Sequence, residues 1–175
     1  MNKTQGIDYQ KLSLCDALDL AVLIEEEARD RYAELADQLT KHHTPEAAGF
    51  FRKMATIEEK HRVQLAERRA QAFGHAPVKV TREMLFDIEA PEYDEARAFM
   101  SLRHALETAL RSEEKAHAFF AAALPQVKEA SVRELFTELC DEEVEHQALV
   151  RAEMKKLPAG SDHTANDYSD EPVAH

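Results

Sequence analysis

The chain of 175 residues has little of what breaks helices or staples small folds: four glycines, six prolines and two cysteines. So few glycines and prolines leave little material for tight turns and point away from a turn-rich fold. Cys15 and Cys140 form no Cys-x-x-Cys pair, which excludes a zinc knuckle or a rubredoxin-type iron centre built from this chain, and two cysteines make no disulfide framework. Basic residues are short as well, 22 Lys plus Arg against 34 Asp plus Glu, for a formal charge of −12. With no local basic patch, phosphate backbones and anionic lipid surfaces are repelled, so neither a nucleic acid nor a membrane is expected as a partner. No run reaches the roughly 18 uninterrupted apolar residues of a membrane span, and the first six residues lack the apolar core of a secretory signal. The expectation is a soluble, cytoplasmic protein.

What the chain does have is Ala, Leu, Glu, Arg and Lys in abundance, with apolar residues recurring at three and four positions rather than two. The pattern predicts one all-α domain of four long helices. Ser13 followed by Asp16 marks the start of a helix running to about Thr40, and Thr44-Pro45-Glu46 caps a second that Gly74 closes. Residues 74 to 91, with Pro77, a short helix after Thr81 and then Pro91, read as a crossover along the bundle. A third helix is expected from between Glu92 and Asp94 to Leu124, where Pro125 follows, and a fourth from Ser131 or just before it to about Leu157. The architecture is then two antiparallel hairpins joined by a long link. Residues 1–12 are expected as an extension, 13–157 as the bundle and 158–175 as a disordered tail.

Residues three, four and seven apart share a helix face. On the second helix the buried stripe reads Phe51, Met54, Glu58, His61, Leu65, and on the fourth Phe136, Leu139, Glu143, His146, Val150. The first gives Leu18, Val22, Glu25, Tyr32, Leu39 and the third Leu106, Leu110, Glu113, Phe120, Leu124. Each stripe carries polar residues where core residues belong. A buried unpaired carboxylate costs several kcal/mol or is forced neutral, and four converging would also repel one another. Two divalent cations would offset them, so Glu25, Glu58, His61, Glu113, Glu143 and His146 are the candidate ligands of a two-metal site. Oxygen and imidazole donors suit iron best, with manganese or zinc as alternatives.

The two halves are related. Glu25 to Tyr32 matches Glu113 to Phe120, and Phe51 to His61 matches Phe136 to His146, so a pseudo-twofold axis should pass through the site.

With these residues the chain resembles the ferritin-like superfamily, specifically the rubrerythrin or erythrin di-iron domain, over about residues 13 to 157. The fold implied is a ferritin-like four-helix bundle. The resemblance also implies that Glu25, Glu58 and His61 serve one iron and Glu113, Glu143 and His146 the other, with Glu58 and Glu143 bridging. Tyr32 matches the tyrosine near the metals and is the candidate catalytic side chain. The activity implied is that of a di-iron oxidoreductase reacting with hydrogen peroxide or dioxygen, as peroxidase or ferroxidase, in at least a homodimer. Two departures stand out. The family's further carboxylate, one turn after the third-helix glutamate, is replaced by Ala116, and the cysteine pairs of a rubredoxin domain are missing. Electrons would then come from a separate donor, such as a rubredoxin or a reductase, or from ferrous substrate.

His117 matches Arg29 of the first half and reads as a core or rim histidine, a ligand role being the alternative. Glu114 lies off the stripe. Glu26, Glu27, Glu59, Glu142 and Glu145 read as solvated charges, of which one or two could line an ion access route. Cys140 reads as a small core residue, and His42, His43, His75, His104, His163 and His175 as surface groups. Two non-enzymatic functions remain open: iron binding or delivery without catalysis, and a structural bundle holding zinc or manganese.

Overall fold

The computed structural model describes residues 7–41, 44–84 and 100–158, and among these there are helices and no strands. Helix α1 spans Leu14–Lys41. Its start is fixed by Ser13, whose hydroxyl accepts the Asp16 amide at 3.2 Å and donates to the Asp16 carboxylate at 2.6 Å. Helix α2 spans Pro45–Phe73 and ends at Gly74, whose φ of 55° suits glycine. Thr44, expected to cap α2 with its side chain, does not: its hydroxyl turns back to the Leu39 carbonyl at 3.0 Å and closes α1 instead.

Helix α3 spans Leu102–Ala123, capped by Ser101, which accepts the His104 amide at 3.2 Å. The start expected between Glu92 and Asp94 lies outside the described residues. Since Met100 and Ser101 are not helical, the helix bearing Glu113 begins at Leu102. A 3-10 turn over Leu124–Gln126, entered through Pro125, leads to α4, Ala130–Met154.

The core is split in two. One apolar cluster gathers Leu18, Leu20 and Ile24 of α1, Leu65 of α2, Phe120 of α3, and Leu135, Phe136 and Leu139 of α4. The other gathers Tyr32, Leu35 and Leu39 of α1, Phe51 and Met54 of α2, Leu106 and Ala109 of α3, and Val150 of α4. The order of these residues along each helix makes α1 antiparallel to α2 and α3 antiparallel to α4, while α1 runs with α4 and α2 with α3. Val80 packs in the first cluster and Met100 in the second, so the two described ends of the link between α2 and α3 lie at opposite ends of the bundle. A 3-10 turn over Arg82–Met84 falls within the link, at the short helix expected after Thr81. Arg82 pairs there with Glu26 and with Asp30 at 3.1 Å, which straps the link to α1. Two apolar layers, each completed by all four helices, leave one polar layer between them.

Candidate metal centre

That middle layer is where the six sequence-derived residues meet. Glu25, Glu58, Glu113, Glu143 and His146 are all buried, and His61 is half-buried with 16 % of its side chain exposed. Each lies on its helix between residues of the two apolar clusters, which is why regular helices suffice to bring them together.

Three of the carboxylates converge on the Nδ1 atom of His146. It lies 3.0 Å from Glu113 Oε2, 3.8 Å from Glu143 Oε2 and 3.9 Å from Glu58 Oε1. Burial alone would push the imidazole pKa down, but the hydrogen bond to Glu113 and the charges of Glu113, Glu25 and Glu142 outweigh it, and the net shift is upward. A positive charge is therefore favoured there. Glu113 is held from its other side by Tyr32, whose hydroxyl donates to Oε1 at 2.6 Å. Tyr32 is itself fully buried and stacked on Phe51 at 5.7 Å between ring centroids. The Gln147 side-chain amide donates to the Glu113 carbonyl at 3.3 Å.

Glu25 behaves differently. Burial pushes its carboxyl up to about 7, against a hydrogen bond with Glu58 and the nearby imidazoles of His61 and His146. Its counterpart to the Tyr32 contact is missing, because the residue matching Tyr32 in the second half is Phe120.

The donor set fits cations. Among the described residues, Glu25 Oε2, His61 Nδ1 and His146 Nε2 are buried with no hydrogen-bond partner. Each such atom costs about 1–3 kcal/mol unless something electrophilic satisfies it. The donors form two groups whose atoms lie within 4.8 Å of one another: Glu58, Glu113 and His146 in one, Glu25, His61 and Glu142 in the other. Glu58 sits with Glu113 and His146 of the second half and also hydrogen-bonds Glu25, so it lies between the two groups, where the resemblance implied a bridging carboxylate. Glu143 lies outside both groups yet adjoins the first through His146.

Glu142 is the residue that sequence reasoning left outside the ligand set. It read as a solvated charge, or one of those that could line an ion access route, because it lies one position off the α4 stripe; its Oε2 comes within 3.5 Å of His61 Nδ1. No periodicity points to it; the only sequence signal is that its counterpart in the first half is Ile57.

Other candidates fall to quieter roles. His117 is half-buried and belongs to neither donor group. Glu114 pairs with Arg151 at 2.7 Å on the surface. Glu59 lies between Arg62 and Arg29, whose hydrogen bonds hold its carboxyl at about 2. Glu27 is half-buried and Glu145 exposed. Cys140 is a core residue beside Phe136 and Leu139, its thiol pKa raised by burial. His75 is exposed and His104 half-buried; His42, His43, His163 and His175 lie outside the described residues.

A bundle of two antiparallel hairpins with a carboxylate–imidazole layer at mid-height defines the class of ferritin-like helical proteins, and its donors fit a di-iron site. The chain belongs to the rubrerythrin family, whose model, described as Rubrerythrin, matches residues 16–163. Among solved structures it is similar to an uncharacterized conserved protein from Magnetospirillum magnetotacticum, with 25 % identity, a TM-score of 0.67, and coverage of 86 % of this chain and 99 % of that one. It is also similar to a hypothetical protein from Pyrococcus furiosus, with 27 % identity, a TM-score of 0.52, and coverage of 82 % and 89 %. No curated protein matches. Among the described residues no helix is long and apolar enough to cross a membrane.

Proposed function

We propose that this protein is a cytoplasmic non-haem di-iron oxidoreductase that reacts with hydrogen peroxide or dioxygen, as a peroxidase or a ferroxidase. The observation that carries the reading is the buried layer of four glutamates and two histidines, with orphaned donor atoms, in a rubrerythrin-family bundle. The residues that would hold the ions are Glu25, Glu58, His61, Glu113, Glu143 and His146. Held by these residues, two redox-active ions would supply the two-electron chemistry that reduction of peroxide or dioxygen needs.

The chain's own residues prepare that chemistry. Tyr32 engages one oxygen of Glu113 and so fixes which oxygen faces the centre. In the metal-free protein burial raises the Glu25 carboxyl to about 7, so at neutral pH it can hold a proton that a binding cation would displace. The apolar layers above and below keep bulk water out, which strengthens every electrostatic interaction between them. Cys15 and Cys140 are both free, and neither lies in a Cys-x-x-Cys pair. The reading therefore draws electrons from a separate donor, such as a rubredoxin or a reductase, or from ferrous iron itself, and takes the protein as a homodimer.

Anaerobic loading with ferrous iron, followed by stopped-flow mixing with peroxide or with oxygen, tests the reading. About two irons per chain and a rise in near-ultraviolet ferric absorbance are expected, the faster oxidant distinguishing peroxidase from ferroxidase. One observation favours the alternative of iron binding or delivery without catalysis: His61 and Glu142 open onto solvent, as an exchangeable ion requires. Two irons bound with no absorbance change under either oxidant would select it. Natively purified protein holding zinc or manganese and silent to both oxidants would select the structural role.

A further inference from the structure

We propose that Glu142 is a seventh donor of the metal centre, which makes its two cation positions inequivalent: a closed one at Glu58, Glu113 and His146, and an exchangeable one at Glu25, His61 and Glu142. The inference rests on the two-metal reading above and deepens it.

Three observations converge. The donor atoms of Glu25, His61 and Glu142 lie within 4.8 Å of one another. Glu25, only 2 % exposed, presents an Oε2 with no hydrogen-bond partner, and His61 Nδ1 is likewise unsatisfied. His61 and Glu142 also line a cleft of about 100 Å³ between α2 and α4, with Gln64, Arg68, Leu135 and Glu138 around it. A cation approaching from solvent meets Glu142 first, since 39 % of that side chain is exposed, and reaches the buried Glu25 last.

The duplication shows that the feature is one-sided. Glu25 and Glu113 match, as do Ala28 and Ala116, and each Glu-x-x-His has its twin. At the position before the glutamate the halves part, with Glu142 in one and Ile57 in the other. The closed position has a buried phenol locking Glu113 and no carboxylate from that place; the open one has the carboxylate and no phenol. An added anionic donor raises affinity for a divalent ion and favours a higher charge on it, while the cleft gives it a way in and out.

The test is titration of the metal-free full chain with cobalt(II), followed by visible absorbance and calorimetry. Wild-type protein should take up two ions per chain. Glu142→Gln should still take the first ion at wild-type affinity and bind the second at least tenfold more weakly, and Glu145→Gln, an exposed carboxylate on the same helix, should match wild type at both. Thermal melting of each metal-free variant checks the fold. Two wild-type affinities in Glu142→Gln, or equal weakening by Glu145→Gln, would overturn the proposal, the second by reducing the effect to general surface charge. Wild-type protein that binds no cobalt would instead sink the two-metal reading itself.

Discussion

The Tyr32 hydroxyl donates to Glu113 Oε1 at 2.6 Å, joining the first helix to the third across 81 positions of sequence. The two residues come from different halves of a duplicated pattern, and the reciprocal contact is absent because Phe120 has no hydroxyl to offer Glu25. One carboxylate is thus pinned, while its twin is left to titrate near neutrality.

Tyr32→Phe should restore the symmetry at a cost. The ring stays packed on Phe51, so the fold should survive, with a loss of about 1.5–3 kcal/mol for a buried hydrogen bond to a charged group. Denaturant melts of the metal-free protein measure that loss. Stopped-flow oxidation of the iron-loaded variant should be slower than wild type.

Metal-free protein should lose stability as pH rises. The Glu25 carboxyl goes from 4.5 in a free chain to about 7 when folded, so its contribution is fully present below 4.5 and is lost as pH rises through about 7. His146, raised above 6.5, acts in the same direction: its contribution is present below 6.5 and lost above its folded value. Chemical denaturation at pH 5 and pH 8 should find the metal-free protein weaker at the higher value, and Glu25→Gln should flatten the slope. An unchanged slope in that variant would refute the assignment.

Metal loading should reverse that trend. Cations replace protons in the layer, so bound metal stabilises most where the carboxyls are ionised. At free metal about 100 times the dissociation constant, each site adds about 2.7 kcal/mol. Calorimetric scans with and without chelator at pH 8 should show Tm falling on metal removal, and the difference should shrink at pH 5.

Asp19 and Arg69 supply a control remote from the chemistry. Arg69 reaches from α2 to the Asp19 carboxylate at 2.7 Å and also donates to the carbonyls of Gly74 and Ala76 at 2.7 and 2.6 Å. It ties the end of α2 and the start of the link to α1. Asp19→Ala leaves that guanidinium without its carboxylate and should lower Tm by several degrees, while metal bound per folded chain stays as in wild type.

The residues of the polar layer were legible because helical periodicity is a local property. Glu25, Glu58, Glu113, Glu143 and His146 sit in register with large apolar neighbours, and a carboxylate in such a register needs a reason wherever the helices end up. Helix ends were read less well. Thr44 has the right chemistry for a cap but spends its hydroxyl on the Leu39 carbonyl of the preceding helix, a contact between two helices that spacing within one does not encode. The start expected between Glu92 and Asp94 lies outside the described residues; the helix bearing Glu113 begins at Leu102, where Ser101 supplies the cap. Glu142 was invisible to periodicity, since its usefulness depends on the side of α4 that meets α2.

The amino-acid order alone determined that four amphipathic helices would form and that each would bury acidic or imidazole groups midway along its apolar face, because both follow from spacing within one helix. Which groups share a cation, which carboxylate receives the phenol and which lies open to a cleft were decided only when the helices packed. Those relations depend on distances between side chains on different helices, and no pattern within a single helix encodes them.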